Sequence, residues 1–480
     1  MCSAAALPKL IKVQSDVSQF SIGSKWLYEA DSRFDASAYS EGAFRALEEI
    51  EACGFPTESL GQLCGTIWHP VQTQARSNFK RIYTKPEHGV PFVSSRNMFS
   101  LPLRPEKFLS RRMKKLGDLM IPRGWIIVSR SGTVGNVLFI NKTLEKCAIS
   151  DHTIRIEPVG IPSGYLYAFL ASRFGKAFIS SSTYGSTVDE LEPKHLAPIS
   201  IPLPPKEIQQ SIHKKILRAY ALRDRANQLF DKAEQELYEL LGINSFTEND
   251  VEYLGSESEP QAFEVSSLEM VDRLDATHHV PISRSAIHKL RKSKYRLVDL
   301  NERVDKVHMP PRLKRIRSDE EYGIPFLQGS HIPSMNFRDL KYVSIKATKN
   351  IETFIIKPNW VLLTRSGTVG RLAISTEAQN GWAASEHILR IIPGDKIYHP
   401  GFLCIFLSTP YGQHQLKARI YGGVVDELTP EDAGSVLIPD VPFLEQERIG
   451  QFLVRVYELR DEANAVEDEA IAELEAMISG

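Results

Sequence analysis

Two copies of a short glycine-containing hexapeptide concentrate hydrogen-bond donors in this sequence. Arg-Ser-Gly-Thr-Val-Gly occurs at residues 130–135 and again at 365–370. A guanidinium group can donate two parallel hydrogen bonds to one partner, and hydroxyl groups on a narrow turn add further donors. The edges of nucleic-acid bases and the phosphates accept such bonds. The hexapeptides therefore supply the first candidate DNA-contacting residues: Arg130, Ser131, Thr133, Arg365, Ser366 and Thr368.

A second reading of the hexapeptides stays open at this point. The glycines could simply make a tight turn, and each arginine could pair with a nearby carboxylate. The tyrosines that recur further along the chain, Tyr184 and Tyr421, could stack on a ligand or pack in the protein.

Basic side chains form two further clusters, although the formal net charge of the whole chain is only −1. A polyanionic partner is compatible with such a chain when the charge is unevenly distributed. A charge run is often only a solvated face, but the matching placement of the two clusters in the two halves favours DNA binding. The acidic stretch at 445–475 is expected to avoid DNA. The cluster residues assigned to DNA binding are Arg104, Lys107, Arg111, Arg112, Lys114 and Lys115, and then Arg312, Lys314, Arg315 and Arg317.

No pattern in the sequence indicates catalysis. The hexapeptides lack the Gly-Lys-Ser/Thr ending of a phosphate-binding loop, and no methyltransferase tetrapeptide or metal-hydrolase motif occurs. His152 and His387 each follow an acidic residue, and a lone histidine beside a strand is usually structural. The five cysteines form no CxxC pair. We expect no catalytic residue, no metal site and no cofactor.

The chain contains an internal duplication. Arg130 and Arg365 are 235 residues apart, and Ser150-Asp151-His152 returns at the same spacing as Ser385-Glu386-His387. The segment Val188 to Leu191 returns after 237 residues at Val425 to Leu428, and the Arg-x-Asp-Ala sequence at 33–36 returns at 273–276. Such self-similarity indicates two tandem copies of one structural unit.

Each copy predicts a mixed α+β fold. Apolar runs on both sides of each hexapeptide, such as 125–128 and 137–140, predict a β-hairpin. The apolar stretches at 165–172 and 402–408 predict short buried helices. The expected order is a first domain at 1–204, a long helix at 205–242, a polar linker at 243–263, a second domain at 264–442 and a second long helix at 443–480.

The two long helices carry a heptad pattern. Apolar residues recur at steps of three and four from Ile449 to Met477, and the positions 237 residues earlier repeat this pattern with Lys215 as the exception. Such a seam predicts that the helices pair as a coiled coil, with the antiparallel arrangement favoured. The alternative is that each helix packs on its own domain. About 35 helical residues span roughly 50 Å, which corresponds to about 15 base pairs of DNA.

The location expected from the sequence is cytoplasmic. No stretch approaches the roughly 18 apolar residues that a membrane span needs, so a membrane partner is not expected, and the first ten residues lack the apolar run of a signal peptide.

These motifs resemble the specificity subunits of type I restriction-modification systems, which carry two tandem target-recognition domains. The resemblance covers nearly the whole chain and depends on the Arg-x-Asp-Ala sequences, the hexapeptide hairpins and the Pro-Leu-Pro-Pro sequence at 202–205. The second helix departs from it, because Pro439-Asp440-Val441-Pro442 keeps only the flanking prolines.

The resemblance implies function and partners. Each domain would recognise one half of a split, asymmetric target in double-stranded DNA, and the helices would form an antiparallel spacer. Two methyltransferase subunits would dock on that spacer, and a translocase-nuclease subunit would complete the complex. Three alternatives remain: a specificity subunit of another modification or defence system, such as a type II-like system with a fused methyltransferase-nuclease partner; a nuclease; and a structural coiled-coil adaptor.

Overall fold

A computed structural model of the chain forms two compact units. Unit 1 comprises Met1–Met98, Pro105–Ala221 and Ala465–Gly480, and unit 2 comprises Phe99–Arg104 and Leu222–Asn464. The Arg-x-Asp-Ala sequence at 33–36, Ser131, Thr133 and Tyr184 lie outside the described residues. Structure is described for residues 10–11, 19–20, 41–70, 80–130, 134–182, 190–247, 250–251, 263–267, 270, 273–312, 314–338, 340–394, 398–423 and 425–480.

Unit 1 combines short strands with short helices. Its strands are β1 (Leu10–Ile11), β2 (Gln19–Phe20), β3 (Thr57–Ser59), β4 (Cys64–Trp68), β5 (Tyr83–Thr84), β6 (Gly89–Val93), β7 (Lys107–Ser110), β8 (Ile126–Ser129), β9 (Val137–Phe139), β10 (Ala148–Ile149), β11 (Thr153–Pro158) and β12 (Ser200–Pro202). Its own helices are α1 (Glu41–Ala52), α2 (Leu60–Leu63), α3 (Ser163–Ala171), α4 (Arg173–Ser181) and α5 (Pro193–Leu196).

Unit 2 is built in the same way. Its strands are β13 (Leu297–Asp299), β14 (Val304–His308), β15 (Arg317–Ser318), β16 (Gly323–Leu327), β17 (Lys341–Ser344), β18 (Val361–Thr364), β19 (Leu372–Ile374), β20 (Ala383–Ala384), β21 (Ile388–Pro393) and β22 (Leu437–Pro439). Its own helices are α7 (Pro281–Leu290), α8 (Pro400–Ser408), α9 (Pro410–Ala418) and α10 (Pro430–Gly434). The long helices α6 (Lys206–Leu241) and α11 (Phe443–Ser479) contribute residues to both units.

The sheet topology of the two units is the same. One four-stranded sheet has the order β4-β11-β8-β9 in unit 1 and β14-β21-β18-β19 in unit 2. The other has the order β10-β6-β7-β5 and β20-β16-β17-β15, with one parallel pair in each, β10 with β6 and β20 with β16. The predicted duplication and the α+β fold class are confirmed.

The predicted hairpins are β8-β9 and β18-β19. Ile126 pairs with Phe139 and Val361 pairs with Ile374 in antiparallel register. All four residues of β8 and of β18 are buried, which explains why these strands are continuous apolar runs rather than alternating ones. The predicted short helices are also present as α3 and α8, and nearly every residue of both is buried.

Close contact between the short buried helices and the long helices depends on glycine. In unit 2 a Cβ atom on Gly401 of α8 would lie 2.0 Å from the carbonyl oxygen of Gly450 on α11. In unit 1 the same neighbourhood contains Gly164 of α3, whose backbone N–H donates to Nδ1 of His213 on α6 at 2.9 Å. No Cβ-bearing residue fits at Gly401 without moving the helix.

The long helices contact each other. In unit 2, Arg223 Nη2 donates to Asn464 Oδ1 at 3.0 Å, Lys232 lies over the ring of Phe452, and Glu236 pairs with Arg448. The partners move backward along α11 as the residues advance along α6, so these segments run antiparallel. In unit 1, Lys215, the exception in the heptad seam, binds Glu469 and Glu473 at 2.6 and 2.7 Å.

Both long helices also pack on the globular parts of their units. The backbone N–H of Phe139 in β9 donates to the hydroxyl of Tyr220 on α6, and Tyr457 on α11 donates to the carbonyl of Leu372 in β19. Leu453 lies outside the heptad seam and is nevertheless fully buried. Both arrangements considered from the sequence are therefore present: the long helices pair with each other, and each also packs on its own domain.

We predict that Leu453→Ala lowers the free energy of unfolding by about 2–5 kcal/mol, because it leaves a cavity in a fully buried site. Leu444→Ala is a matched control on the same helix, since Leu444 is 78% exposed. Urea unfolding of both variants measures the difference, and equal losses would show that α11 does not pack as described.

Candidate nucleic-acid interface

Arg365 links three loops of unit 2 through hydrogen bonds. Its Nε donates to the carbonyl oxygen of Leu428 at 2.9 Å, and its Nη2 donates to Glu427 at 2.9 Å and to the Tyr421 hydroxyl at 3.3 Å. Its backbone N–H donates to the carbonyl oxygen of His387 at 3.0 Å. The hairpin tip, the turn at 385–387 and the loop that carries Tyr421, Glu427 and Leu428 therefore meet at Arg365, which binds the turn through its backbone N–H and the loop through its guanidinium group.

Arg130 makes the equivalent tie in unit 1. Its Nη2 donates to Glu192 at 2.6 Å and to Glu190 at 3.2 Å, and its backbone N–H donates to the carbonyl oxygen of His152 at 3.1 Å. Glu192 also pairs with His69 at 2.8 Å. Burial would raise the pKa of Glu192, but the hydrogen bonds from His69 and Arg130 hold that pKa below its ordinary value.

The hexapeptide arginines were predicted to contact DNA, but both side chains are buried in the structure. Arg130 and Arg365 are each only 7% exposed and bound by carboxylates, which is the second reading of the hexapeptide. Nε and Nη2 of each guanidinium group already bind internal acceptors, and the side chains are only 9% and 8% exposed, so little of either group is accessible to a base. Ser366 is half-buried and Thr368 is exposed, so Thr368 is accessible at the hairpin tip of unit 2.

A second, fully buried arginine donates hydrogen bonds to the backbone on both sides of the turn that follows β20. Arg390 in β21 is 0% exposed and donates to the carbonyl oxygens of Ala384, Ser385 and Ile388. Its counterpart Arg155 is 1% exposed and donates to the carbonyl oxygens of Ile149, Ser150 and Thr153, on both sides of the equivalent turn. Burial lowers the pKa of Arg390 to about 9 and that of Arg155 to about 10.

In each unit, the acidic residue of this turn binds a second, partly exposed arginine. Glu386 binds Arg315 at 2.7 Å, and Asp151 binds Arg81 in the same way. Burial would raise the pKa of Glu386, but the hydrogen bond from Arg315 holds it below the ordinary value. Arg81 and Arg315 occupy equivalent positions in a Lys-Arg-Ile sequence at 80–82 and 314–316, a repeat that sequence reasoning missed.

The basic turn after β7 is exposed in unit 1. The backbone N–H of Ser110 donates to the carbonyl oxygen of Ile82 at 2.8 Å, which places this turn beside the Lys-Arg-Ile segment. Lys107 at the start of β7 lies over the ring of Tyr83. None of the following side chains has an ion-pair partner among the described residues of this unit: Arg111, Arg112, Lys114 and Lys115.

The matching placement expected for the two basic clusters is wrong, because they occupy neighbouring rather than equivalent places in their units. In unit 2 the exposed residues Arg312, Lys314 and Arg317 precede or begin β15, whereas the counterpart of the basic turn follows β17. Because β15 pairs with β17, both places lie at one sheet edge. Each unit therefore has basic residues next to its edge strand, β5 or β15, and next to the neighbouring strand, β7 or β17. The basic residues that sequence reasoning missed are Lys80, Arg81, Lys341, Lys346 and Lys349.

Arg104 does not share this surface. Its guanidinium pairs with Glu234 on α6 and lies 4.8 Å from the ring centroid of Phe230. Burial would lower the pKa of Arg104, but Glu234 raises it. Arg104 and the Phe99–Arg104 segment belong to unit 2, where this side chain anchors the segment to the long helix.

Exposed apolar side chains accompany the basic ones. Ile82 and Tyr83 are 49% and 47% exposed in unit 1, and Ile316 and Ile345 are 39% and 51% exposed in unit 2. Among the described residues, no cluster of His, Cys, Asp and Glu could hold a metal ion. Within the same residues, none of the helices combines the length and apolarity of a membrane span.

The chain matches a family model described as the type I restriction modification DNA specificity domain. The match covers residues 72–229 and 294–475, one segment for each copy of the duplication, and more than half of the chain. The chain therefore belongs to this family, whose members are recognition domains rather than catalytic ones. No curated protein matches the chain.

Three solved structures are similar. An S subunit of a type I restriction-modification system from M. genitalium is 12% identical with a TM-score of 0.37, covering 89% of this chain and 95% of that chain. The HsdS subunit from Thermoanaerobacter tengcongensis is 16% identical with a TM-score of 0.28, covering 89% of this chain and 97% of that chain. A chain from a study of type I R-M complex assembly is 15% identical with a TM-score of 0.28, covering 89% of this chain and 96% of that chain.

We predict that Arg365→Met costs about 1.5–3 kcal/mol of stability, because Glu427 and the Leu428 carbonyl lose a charged donor. Glu427→Gln should cost less, and the double variant should cost less than the sum. Arg312→Met, an exposed arginine of the same unit, serves as the control and should change stability by less than about 0.5 kcal/mol. Urea unfolding followed by tryptophan fluorescence measures all four. Strictly additive losses would contradict the tie.

Proposed function

We propose that this chain is the DNA-recognition subunit of a type I restriction-modification system and binds a split target in double-stranded DNA. The observation that carries the proposal is repetition: both family-matched segments contain the same arginine-tied loops beside an exposed basic sheet edge. Each unit recognises one half of the target. The chain has no catalytic site of its own, and the chemistry belongs to partner subunits.

The basic sheet edges supply the attraction for DNA. Lysine and arginine side chains that neutralise phosphates release counterions, which gives an affinity that falls steeply with salt. Such contacts fix position but carry no sequence information. Hydroxyl and guanidinium donors of the neighbouring loops, including Thr368, are the groups suited to base edges.

The two half-targets differ in sequence. Equivalent positions on the two surfaces carry different side chains: Arg111 corresponds to Ile345, and Asn136 at the hairpin corresponds to Arg371. Because base contacts depend on side-chain type, two such surfaces select different bases. The target is therefore asymmetric.

The long helices serve as the spacer and as the docking site for two methyltransferase subunits, with a translocase-nuclease subunit completing the complex. Helix α6 has 36 residues and α11 has 37. At 1.5 Å per residue each helix is about 55 Å long. A length of this order matches half-sites separated by several base pairs rather than adjacent ones.

Methylation mapping tests this function directly. Cells that carry this chain with its partner genes should show one methylated motif made of two different defined halves with an undefined spacer. Cells with the partner genes alone should lack it. A continuous motif, or methylation that persists without this chain, would refute the proposal.

We predict that Arg112→Gln and Lys346→Gln weaken binding to all DNA sequences alike. The two residues occupy equivalent exposed positions in the two units. Each loss of one phosphate contact should reduce the slope of log affinity against log salt by about 0.9. Fluorescence anisotropy with the chain and its methyltransferase partners measures the slope.

The control is Lys292→Gln, an exposed lysine that follows α7 and lies outside both sheets. It should leave the slope unchanged. An equal change in the control, or an unchanged slope in both test variants, would show that the sheet edges do not contact phosphates.

A further inference from the structure

Arg81 and Arg315 are arranged differently from the other basic residues of their units. Their side chains are 28% and 25% exposed, between the buried hexapeptide arginines and the fully exposed cluster residues. Each guanidinium lies over a phenylalanine, with its carbon 5.1 Å from the ring centroid of Phe92 or Phe326. Each is also bound by one carboxylate.

The carboxylate that binds each arginine is itself held in place. Glu386 sits in the turn that Arg390 brackets through three backbone carbonyls, and Asp151 sits in the turn that Arg155 brackets. Two buried cations without a bound carboxylate are costly to a folded protein. Both units nevertheless have such an arginine at the equivalent position, and its hydrogen bonds hold the backbone of the turn.

An arginine fixed in this way loses little freedom on binding. The ring below and the carboxylate beside it restrict the rotamers of a long side chain before any ligand arrives. Arg315 Nη2 donates to Glu386 at 2.7 Å and to the Ser385 hydroxyl at 3.4 Å. Among the described residues, Nη1 of Arg315 has no hydrogen-bond partner, whereas Nε is buried, so the two N–H groups of Nη1 remain for a ligand.

Among the base edges of the major groove, guanine offers two neighbouring acceptors, N7 and O6, which suit two N–H donors of one guanidinium group. We propose that Arg81 and Arg315 are specificity-determining residues, each reading one guanine in the half-site of its own unit. This inference rests on the proposed function. It requires a G·C pair in both halves of the target.

Replacement by lysine separates base reading from phosphate contact. Lysine keeps the positive charge but lacks the planar group that lies over the ring and binds the carboxylate, so its donors are no longer held in place. Arg315→Lys should therefore keep binding to non-target DNA and lose between about fivefold and 150-fold on the target. Arg81→Lys should do the same, with the affected guanine in the other half. Arg312→Lys is the matched control and should lose less than twofold.

Guanine analogues identify the contact. Single 7-deazaguanine substitutions, which remove N7, are placed in turn at each guanine of the target, and binding is measured with the chain and its methyltransferase partners. One position in each half should weaken binding by the wild-type chain, and the same position should cause no further loss in the lysine variant of the matching unit. Glu386→Gln should weaken target binding through the same guanine as Arg315→Lys does, but by a smaller factor.

The outcomes distinguish this inference from the proposed function. A complex without any preference for a split target overturns both. A complex that binds the split target but shows additive losses for every guanine, or that has a half-site without guanine, overturns the guanine-reading role alone. Uniform weakening on all sequences would assign Arg81 and Arg315 to phosphates and would also overturn it.

Discussion

The loops of both units depend on buried guanidinium groups that hydrogen-bond to the protein itself. Hydrogen bonds to the protein offset the loss of hydration of a buried arginine, and a planar group with five donors can join segments that are far apart in sequence. Arg365 joins a hairpin tip, a turn and a loop, and Arg390 brackets the same turn from inside. Arg130 and Arg155 repeat this arrangement in unit 1.

This constraint divides the arginines and lysines by role. The buried Arg130, Arg155, Arg365 and Arg390 shape the loops, Arg81 and Arg315 are partly exposed and each bind one carboxylate, and the exposed arginines and lysines of the sheet edges supply positive charge. The division follows from burial and partners rather than from position in a motif. It explains how a chain with a formal net charge of −1 can present basic surfaces, because many carboxylates pair with internal arginines or lie on the long helices.

Much of the fold follows from the sequence, because duplication and apolar periodicity report directly on packing. The hairpins, the short buried helices and both long helices were predictable from apolar runs and heptads. Side-chain roles in the hexapeptides were not. Whether Arg365 points outward or inward depends on Glu427, which is 62 residues away in sequence and is brought near only by the fold. The repeated Lys-Arg-Ile sequence was a usable signal for Arg81, but its meaning required the pairing of β5 with β7.

The central claim is that two equivalent, internally tied surfaces each contact one half of a split DNA target. Hydrogen–deuterium exchange of the assembled complex tests it, with a saturating target duplex and with duplexes in which one half is scrambled. The intact target should protect residues 80–83 and 111–115 of unit 1 together with 314–317 and 345–349 of unit 2. Scrambling one half should remove protection from one unit only. Protection lost from both units together, or found only outside these segments, would contradict the account.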